Sequence, residues 1–220
     1  PTNSGKTYQA LKAFKEAKRS IYLSPLRLLA HEIYEKMNSE GIPCNMVTGE
    51  ERKETMGVNK IAATVEMAPL GDDIIDVAVI DEIQMLNDPQ RGWAWTNAFL
   101  GIAAMEIHLC GEPAVLPLIK RLCNDMGDDL TVVNYERLSP VKIAPTSLDG
   151  NLMKLRKGDC LVSFSRKSIY SLKEIVERRC GLKAAVIYGS LPPEARSEQA
   201  RLFNDPNSGY DILIASDAIG

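Results

Sequence analysis

The chain has 220 residues, of which 45% are hydrophobic and 25% are charged, and its formal net charge is −3. These values are typical of a globular protein and exclude the strongly basic composition of many nucleic-acid-binding proteins. No continuous apolar stretch approaches the ~18 residues of a membrane span, so we expect no membrane partner, and the five widely spaced cysteines favour core thiols over disulfides or a metal site.

The first seven residues match the last seven positions of a phosphate-binding P-loop. In such a loop, backbone N–H groups cradle the α- and β-phosphates, a Lys reaches the β- and γ-phosphates, and a Ser or Thr hydroxyl holds Mg²⁺. Lys6 and Thr7 fit the last two roles, and the helix-forming residues 8–14 would direct a helix N-terminus at the anion. The predicted ATP-binding residues of this loop are Pro1, Thr2, Asn3, Ser4, Gly5, Lys6 and Thr7.

An acidic pair supplies the second part of an ATP site. Residues 74–80 form a β-branched run that predicts a buried parallel strand, and Asp81 and Glu82 follow it directly. Ligands bind at the carboxyl ends of the strands in open α/β sheets. Asp81 is therefore predicted to hold Mg²⁺ through water, and Glu82 to orient or deprotonate the attacking water. Together with the P-loop, this pair predicts an ATPase core.

Predicted strands and helices alternate along the chain, which indicates βαβ units and a parallel sheet. Up to residue 135 the predicted strands are 19–23, 44–47, 61–67, 74–80, 106–109 and 130–135, and the predicted helices are 8–14, 26–39, 93–104 and 115–124. Residues 52–59 are predicted to form a loop. After a proline-containing segment at 139–150, further strands are predicted at 159–164, 184–188 and 212–215, with helices at 168–179 and 193–204.

Both ends of the sequence lead us to expect a fragment. There is no initiator Met, and the strand that launches a P-loop would precede Pro1. At the other end, the chain stops at Gly220, shortly after a predicted strand. We treat His31 and His108 as structural residues, and Trp93 and Trp95 as packing residues.

Two α/β units with ATP motifs only on the first resemble the paired RecA-like domains of superfamily-two helicases. Segments similar to that family's motifs occur in its order at 1–7, 24–27, 48–50, 81–84, 110–112, 162–166, 188–196 and 215–220. Cys110-Gly111-Glu112 departs from the Ser-Ala-Thr that many relatives carry. Five strings resemble the mitochondrial degradosome RNA helicase family in particular: Pro-Thr-Asn-Ser-Gly-Lys-Thr, Asp-Glu-Ile-Gln-Met, His-Leu-Cys-Gly-Glu-Pro, Phe-Ser-Arg-Lys and Ala-Ser-Asp-Ala-Ile-Gly.

The resemblance implies an α/β fold with two RecA-like parallel-sheet domains, the second incomplete. We expect the first domain at 1–140, with the P-loop and the acidic motif but lacking its amino-terminal strand, a linker at 141–151, and a partial second domain at 152–220. The resemblance also implies an ATP-dependent RNA helicase that moves 3′ to 5′, uses ATP and Mg²⁺, and feeds an exoribonuclease in the mitochondrial matrix. Its arginine-finger motif is not reached, so we expect this chain alone to hydrolyse ATP weakly or not at all.

Residue roles follow from the same resemblance. Lys6, Asp81 and Glu82 would carry catalysis, Asp217 and Gly220 would add ATP contacts, and Gln84, Gly111 and Glu112 would couple the nucleotide state to the grip on RNA. Hydroxyls, backbone N–H groups and helix N-termini suit phosphate contacts without sequence preference. The predicted RNA-binding residues are Ser24, Pro25, Arg27, Thr48, Gly49, Ser163, Phe164, Ser165, Gly189 and Ser190.

Three alternatives remain open from the residues. A DNA helicase or translocase would use the same backbone-directed motifs, because contacts with the 2′-OH leave no simple sequence trace. A nucleotide-gated RNA clamp without turnover would have no chemical need for Glu82. A small-molecule P-loop kinase would need only one domain. Helix N-capping explains the hydroxyls of Ser24 and Ser190 equally well.

Overall fold

The structure is a computed structural model that describes residues 6–136 and 142–216. It divides into two compact units, Pro1–Val141 and Lys142–Gly220. Within the described ranges, no helix is long and apolar enough to cross a membrane.

The first unit is a six-stranded sheet with helices on both faces. Its helices are α1 (Lys6–Glu16), α2 (Arg27–Ser39), α3 (Gly92–Gly101) and α4 (Leu116–Met126). Its strands are β1 (Ser20–Ser24), β2 (Asn45–Val47), β3 (Arg52–Lys53), β4 (Lys60–Thr64), β5 (Gly71–Ile80) and β6 (Ile102–Leu109). The strand order is β3-β2-β4-β1-β5-β6, and all pairs are parallel except β2 with β3.

The central strand β1 is buried along its whole length, because helices cover both faces of the sheet. Successive strand residues point to opposite faces, so Tyr22 packs with Phe14 of α1 on one face. Ile21 packs with Trp95 of α3 on the other. Burial on both faces explains why these strands appear in the sequence as continuous apolar runs.

Helix α1 runs antiparallel to the strands that it covers. Its carboxyl end lies at the amino ends of β1 and β4, because the Ser20 hydroxyl donates to the Phe14 carbonyl at 2.8 Å and the Lys60 amine donates to the carbonyls of Phe14 and Ala17. The helix has 11 residues, or about 16 Å, and the five residues of β1 span about the same length. The amino end of α1 therefore reaches the carboxyl edge of the sheet.

The second unit repeats the α/β pattern on a smaller sheet. Its elements are β7 (Cys160–Val162), α5 (Arg166–Cys180), β8 (Ala184–Ile187), α6 (Pro193–Asn204) and β9 (Ile212–Ala215). The three strands pair in the order β7-β9-β8, and both pairs are parallel. Ile169 and Val176 of α5 pack on one face of the sheet, and Phe203 of α6 packs on the other.

Four sequence predictions of secondary structure are wrong. Residues 130–135 have no regular structure, and Val133 is 61% exposed. The helix predicted at 93–104 ends at Gly101, because the following residues pair with β5. The strand predicted at 61–67 ends at Thr64 and gives way to a 3₁₀ turn at Val65–Met67. Arg52 and Lys53, predicted as loop, pair with β2.

The predicted linker at 141–151 begins outside the described residues. Residues 142–151 contain turns and bends but no helix or strand. The linker and the exact domain limits stay predictions.

Candidate functional site

The predicted site residues of the first unit lie together at the carboxyl edge of its sheet. Ser24 ends β1, Thr48 follows β2, Asp81 follows β5, and Gly111 comes shortly after β6. Because these four strands are parallel, their carboxyl ends share one edge. This is the edge where ligands bind in open α/β sheets.

The amino end of α1 reaches the same edge. Lys6 is the first residue of α1, and Thr7 is half-buried in its first turn. A helix N-terminus with Asp81 at the same edge is an arrangement that suits a nucleotide phosphate and its cation. The predicted ATP-binding residues Pro1, Thr2, Asn3, Ser4, Gly5, Asp217 and Gly220 lie outside the described residues, and their roles stay predictions.

Asp81 is held by side chains and backbone from three elements. Its carboxylate accepts a hydrogen bond from the Tyr22 hydroxyl at 2.6 Å and one from the Glu82 N–H at 2.9 Å. Its backbone N–H donates to the Leu23 carbonyl at 2.9 Å, and its carbonyl accepts from the Trp95 indole N–H at 2.8 Å. Asp81 is only 7% exposed, and these partners compensate the desolvation of its polar groups.

Tyr22 is a donor to this carboxylate throughout the working pH range. Burial, with the negative charge of Asp81 beside it, raises the pKa of the Tyr22 phenol well above its ordinary value. The phenol therefore keeps its proton, and the Asp81 carboxylate keeps a fixed orientation. No pattern in the sequence marks Tyr22, since it reads as one more apolar residue of β1.

Gln84 joins the acidic motif to the loop after β6. Its amide N–H donates to the Glu82 carboxylate, and its carbonyl oxygen accepts from the Glu112 backbone N–H at 3.2 Å. Glu82 itself has left-handed backbone angles, φ 52° and ψ 48°. The side chain of Gln84 thus connects Glu82 with the 110–112 loop.

Gly111 allows the two segments to meet. A Cβ atom at this position would lie 2.6 Å from the Gln84 side-chain oxygen and 2.7 Å from Cγ2 of Ile83. The backbone is close as well, because the Ile83 N–H donates to the Cys110 carbonyl at 2.9 Å. Any residue larger than glycine would push the loop away from Gln84.

The oxygen donors at this edge fit Mg²⁺. A carboxylate from Asp81 and a hydroxyl from Thr7 are hard oxygen ligands, which Mg²⁺ prefers. Among the described residues, no group of three or more His, Cys, Asp or Glu side chains could hold a metal ion. A Mg²⁺ here would therefore need phosphate oxygens and water to complete its six ligands.

The predicted RNA residues of the first unit are tied into turns. The Ser24 hydroxyl is fully buried and donates to the Leu26 carbonyl at 2.8 Å. The Thr48 hydroxyl accepts from the Glu51 N–H at 3.0 Å and closes the turn that contains the exposed Gly49. Arg27 forms an ion pair with Glu50. These contacts give Ser24 a structural role, and the RNA contacts of all these residues stay predictions.

In the second unit, the predicted RNA residues again lie at the carboxyl edge of the sheet. Ser165 caps α5, because its hydroxyl accepts from the Ser168 N–H at 3.1 Å. Phe164, just before it, is 87% exposed. The Ser163 N–H already donates to the Ala215 carbonyl at 2.8 Å. After β8, Gly189 and Ser190 are exposed, and the Gly189 carbonyl accepts from Arg196 at 2.9 Å.

Trp95 and Arg91 have roles at the site that the sequence does not reveal. Trp95 is fully buried, as predicted for a packing residue, but its indole N–H also holds the Asp81 carbonyl. Arg91 lies over the Trp95 ring, 5.2 Å from its centroid. Trp93 is 56% exposed and takes no part in these contacts. The sequence does not indicate which of the two tryptophan side chains, Trp93 or Trp95, is buried.

Comparison with known proteins gives consistent matches. The model of the DEXQ-box helicase domain of Suv3 matches residues 1–135. The chain is 50% identical to the mitochondrial ATP-dependent RNA helicase DExH18 of Arabidopsis thaliana. It is 51% identical to SUV3 of Saccharomyces cerevisiae and to SUPV3L1 of Homo sapiens, which are also named as mitochondrial ATP-dependent RNA helicases. These matches cover 100% of the chain but only 28%, 30% and 28% of the respective relatives.

Solved structures share the fold at low sequence identity. The helicase Lhr of Mycobacterium smegmatis, bound to single-stranded DNA and AMP-PNP, has a TM-score of 0.61 and 16% identity over 100% of this chain and 37% of its own. Dbp5 of S. cerevisiae, bound to RNA and ADP BeF3, has a TM-score of 0.64 and 16% identity over 99% of this chain and 65% of its own. The predicted RecA-like α/β fold is confirmed.

Proposed function

Because the chain belongs to the Suv3 family of DEXQ-box helicases, we propose that it supplies ATP-binding and RNA-binding parts of an ATP-dependent RNA helicase. Relatives about 50% identical over the whole chain carry that activity in their names, together with a mitochondrial location. We propose the same location for this protein. Since the chain spans less than a third of those relatives, these proposals concern the whole protein.

The observation that carries the proposal is the bridge from Glu82 through Gln84 to the Glu112 backbone. In this proposal Glu82 lies beside the attacking water, and the bridge would tie its position to that of the loop after β6. In this proposal Glu82 orients that water, and Lys6 neutralises charge on the transferring phosphoryl group. Thr7 and Asp81 would hold Mg²⁺, which neutralises the charge that develops on the β- and γ-phosphates.

The proposed RNA contacts lie at the same edge of each sheet. In the first unit, Arg27 and the Thr48–Gly49 turn would meet phosphates. In the second unit, the capped N-terminus of α5 and the exposed Phe164 suit a phosphate and a base, respectively. We further propose that the whole protein moves 3′ to 5′ and delivers RNA to an exoribonuclease, and the support for this is the resemblance to the degradosome helicase family.

The first test is ATP hydrolysis by the whole protein, with and without single-stranded RNA. The expected result is turnover that RNA stimulates and that Glu82→Gln lowers by about 10²-fold or more, as for loss of a group that assists proton transfer. Glu16→Gln is a matched control, because Glu16 is an exposed residue of α1 with a side chain 68% exposed. Full RNA-stimulated turnover in Glu82→Gln would remove Glu82 from the mechanism.

A strand-displacement assay separates the alternatives. Displacement on an RNA tracking strand but not on DNA supports the RNA helicase, and the reverse preference supports a DNA translocase. RNA binding that depends on ATP without any turnover would instead support a nucleotide-gated clamp.

A further inference from the structure

A continuous set of contacts joins Asp81 to the loop that follows β1. Trp95 of α3 donates its indole N–H to the Asp81 carbonyl at 2.8 Å. The Arg91 guanidinium lies over the same indole ring, 5.2 Å from its centroid, and one of its N–H groups donates to the Pro25 carbonyl at 2.7 Å. Two side chains thus span the distance from the acidic motif to a predicted RNA segment.

Arg91 is held both at its guanidinium and at its backbone. Its guanidinium also contacts the Glu66 carboxylate, from Nη2 at 2.7 Å and from Nε at 2.9 Å. Its backbone N–H donates to the Asp88 carboxylate at 2.7 Å, which holds the start of α3. A guanidinium with a planar, fixed fork of donors can satisfy a carboxylate, a carbonyl and a stacked ring at once. Its position therefore depends on all three partners together.

The backbone gives the same two ends a second connection. The Asp81 N–H donates to the Leu23 carbonyl, two residues before Pro25 along the chain. A shift of Asp81 relative to β1 would therefore strain both this bond and the Trp95–Arg91 contacts. The loop carrying Pro25 would have to follow, because the hydrogen bond from Arg91 to the Pro25 carbonyl, at 2.7 Å, is short for an N–H···O bond.

We propose that Arg91, seated on Trp95, is a positioning residue through which the nucleotide state at Asp81 alters the grip of the Pro25 loop on RNA. The inference rests on the proposed function, because it assigns ATP to the Asp81 end and RNA to the Pro25 end. Coupling between sites is a free energy shared by both ligands, and it is reciprocal. Loss of Arg91 should reduce this coupling more than it reduces either binding alone.

The test measures RNA affinity of the whole protein with and without a non-hydrolysable ATP analogue. The ratio of the two dissociation constants is the coupling, and the analogue's own affinity with and without RNA should give the same ratio. Three variants probe the link. Arg91→Gln removes the guanidinium, Arg91→Lys keeps only the charge, and Trp95→Phe keeps a ring under Arg91 but removes the N–H donor to Asp81. Arg52→Gln, in an exposed pair with Glu54, is the matched control.

We expect the coupling ratio of Arg91→Gln to move toward one by about threefold to tenfold, within the range for residues that link two sites. Arg91→Lys should recover part of the ratio, and Arg52→Gln should keep the wild-type value. In Arg91→Gln with Trp95→Phe, the two losses should not add, because both variants break one link. Thermal unfolding without ligand checks that each variant folds. If Trp95→Phe does not fold, the result for Arg91→Gln decides.

An unchanged coupling ratio in Arg91→Gln, with only the melting temperature lowered, would show a purely structural role and overturn the inference. Equal losses of RNA affinity with and without the analogue would do the same. A wild-type protein that neither hydrolyses ATP nor changes its RNA affinity with the analogue would instead overturn the proposed function.

Discussion

Glu82, the residue proposed to orient the attacking water, has an unfavourable backbone conformation. Its φ of 52° lies in the left-handed region, which residues other than glycine enter at a cost of about 1 kcal/mol or more. The conformation turns the chain directly after β5, so that Glu82 and Gln84 can meet. Strain of this kind is common where function fixes the geometry.

Replacing Glu82 by Gly and by Ala separates strain from chemistry. Both variants lack the carboxylate and should lose RNA-stimulated ATP hydrolysis. Glu82→Gly should nevertheless be about 1 kcal/mol more stable than Glu82→Ala, because only glycine adopts this conformation without cost. Urea unfolding of the two variants measures the difference. Equal midpoints would mean that residue 82 is not left-handed in solution.

Gly111 is the residue on which the approach of the two loops depends. Gly111→Ala would place Cβ against Gln84 and Ile83, and we expect it to break the Gln84–Glu112 bond and to destabilise the fold by about 1–3 kcal/mol. RNA stimulation of ATP hydrolysis should fall further than the basal rate. Gly71→Ala is the matched control, since nothing lies within 4 Å of a Cβ there. If both variants behave alike, the close packing at Gly111 does not matter.

Sequence reasoning placed candidate site residues where a local pattern exists and missed the contacts that arise only from tertiary packing. Asp81 and Glu82 could be placed because an apolar strand followed by acidic residues indicates a ligand edge, whereas Gln84 is indicated only by the resemblance to the helicase family. Tyr22, Arg91 and Trp95 could not be predicted, because their hydrogen bonds to the site arise only when β1 and α3 pack beside β5. Nothing in their own neighbourhoods in the sequence distinguishes them from packing residues.

The edge strand β8 shows how the helices complete the second sheet. On the side away from β9, the Ala184 carbonyl accepts from the Lys173 amine at 2.7 Å, and the Ala184 N–H donates to the Glu177 carboxylate at 3.3 Å. The Val186 N–H donates to the Gln199 side-chain carbonyl at 2.9 Å. Side chains from α5 and α6 thus satisfy backbone groups that an edge strand would otherwise offer to another chain.

Gln199→Ala should therefore destabilise the protein, because it removes the acceptor of the Val186 N–H. Leaving the Val186 N–H without its partner in a buried strand costs about 1–3 kcal/mol. Hydrogen exchange at the Val186 amide, measured by mass spectrometry of a peptide covering β8, should accelerate. The neighbouring Glu198→Ala is the control, since Glu198 pairs with Arg201 at an exposed position. Unchanged exchange in Gln199→Ala would contradict the role of Gln199.

Most elements could be predicted from periodicity, and the errors have a common cause. Ala103 and Ala104 favour a helix by propensity, yet they lie in β6, where Ala104 pairs with Ile75 of β5. The neighbouring strand outweighs the weak local preference. Residues 130–135 have the composition of a strand, but β propensity has effect only where a neighbouring strand is available for pairing. The short strand β3 shows the opposite error, because a strand formed where a loop was predicted. Its charged residues pair with β2 only because a tight turn returns the chain to that strand.

At the scale of the whole molecule, each unit has its own hydrophobic cores, and the cysteines differ in how deeply they are buried. Cys44, Cys110 and Cys123 are buried in the first unit, whereas Cys160 is exposed in the second. Burial raises the pKa of the Cys44 thiol to about 11. Burial also raises the pKa of Cys160, but its surface is open to reagents.

Alkylation of the native protein should follow this order. Iodoacetamide at pH 8 should modify Cys160 first and leave Cys44 unmodified until the protein is unfolded in urea, because the thiolate is the reactive form and Cys44 is neither ionised nor accessible. Peptide mass spectrometry over time measures the rates. Equal rates at Cys44 and Cys160 under native conditions would contradict the burial of Cys44 in the core cluster that α1 and α2 form on the first sheet.

The arrangement around β8 has a consequence for synthesis on the ribosome. Lys173 and Glu177 leave the exit tunnel before β8 and can cover the Ala184 end of the strand at once. Gln199 and the pairing strand β9 emerge only later, so the nascent chain passes through a stage in which Val186 has neither neighbour. Ribosome-bound chains that have emerged from the tunnel through β8 but not yet through α6 are therefore the stage at which a chaperone that recognises extended apolar segments would find its target.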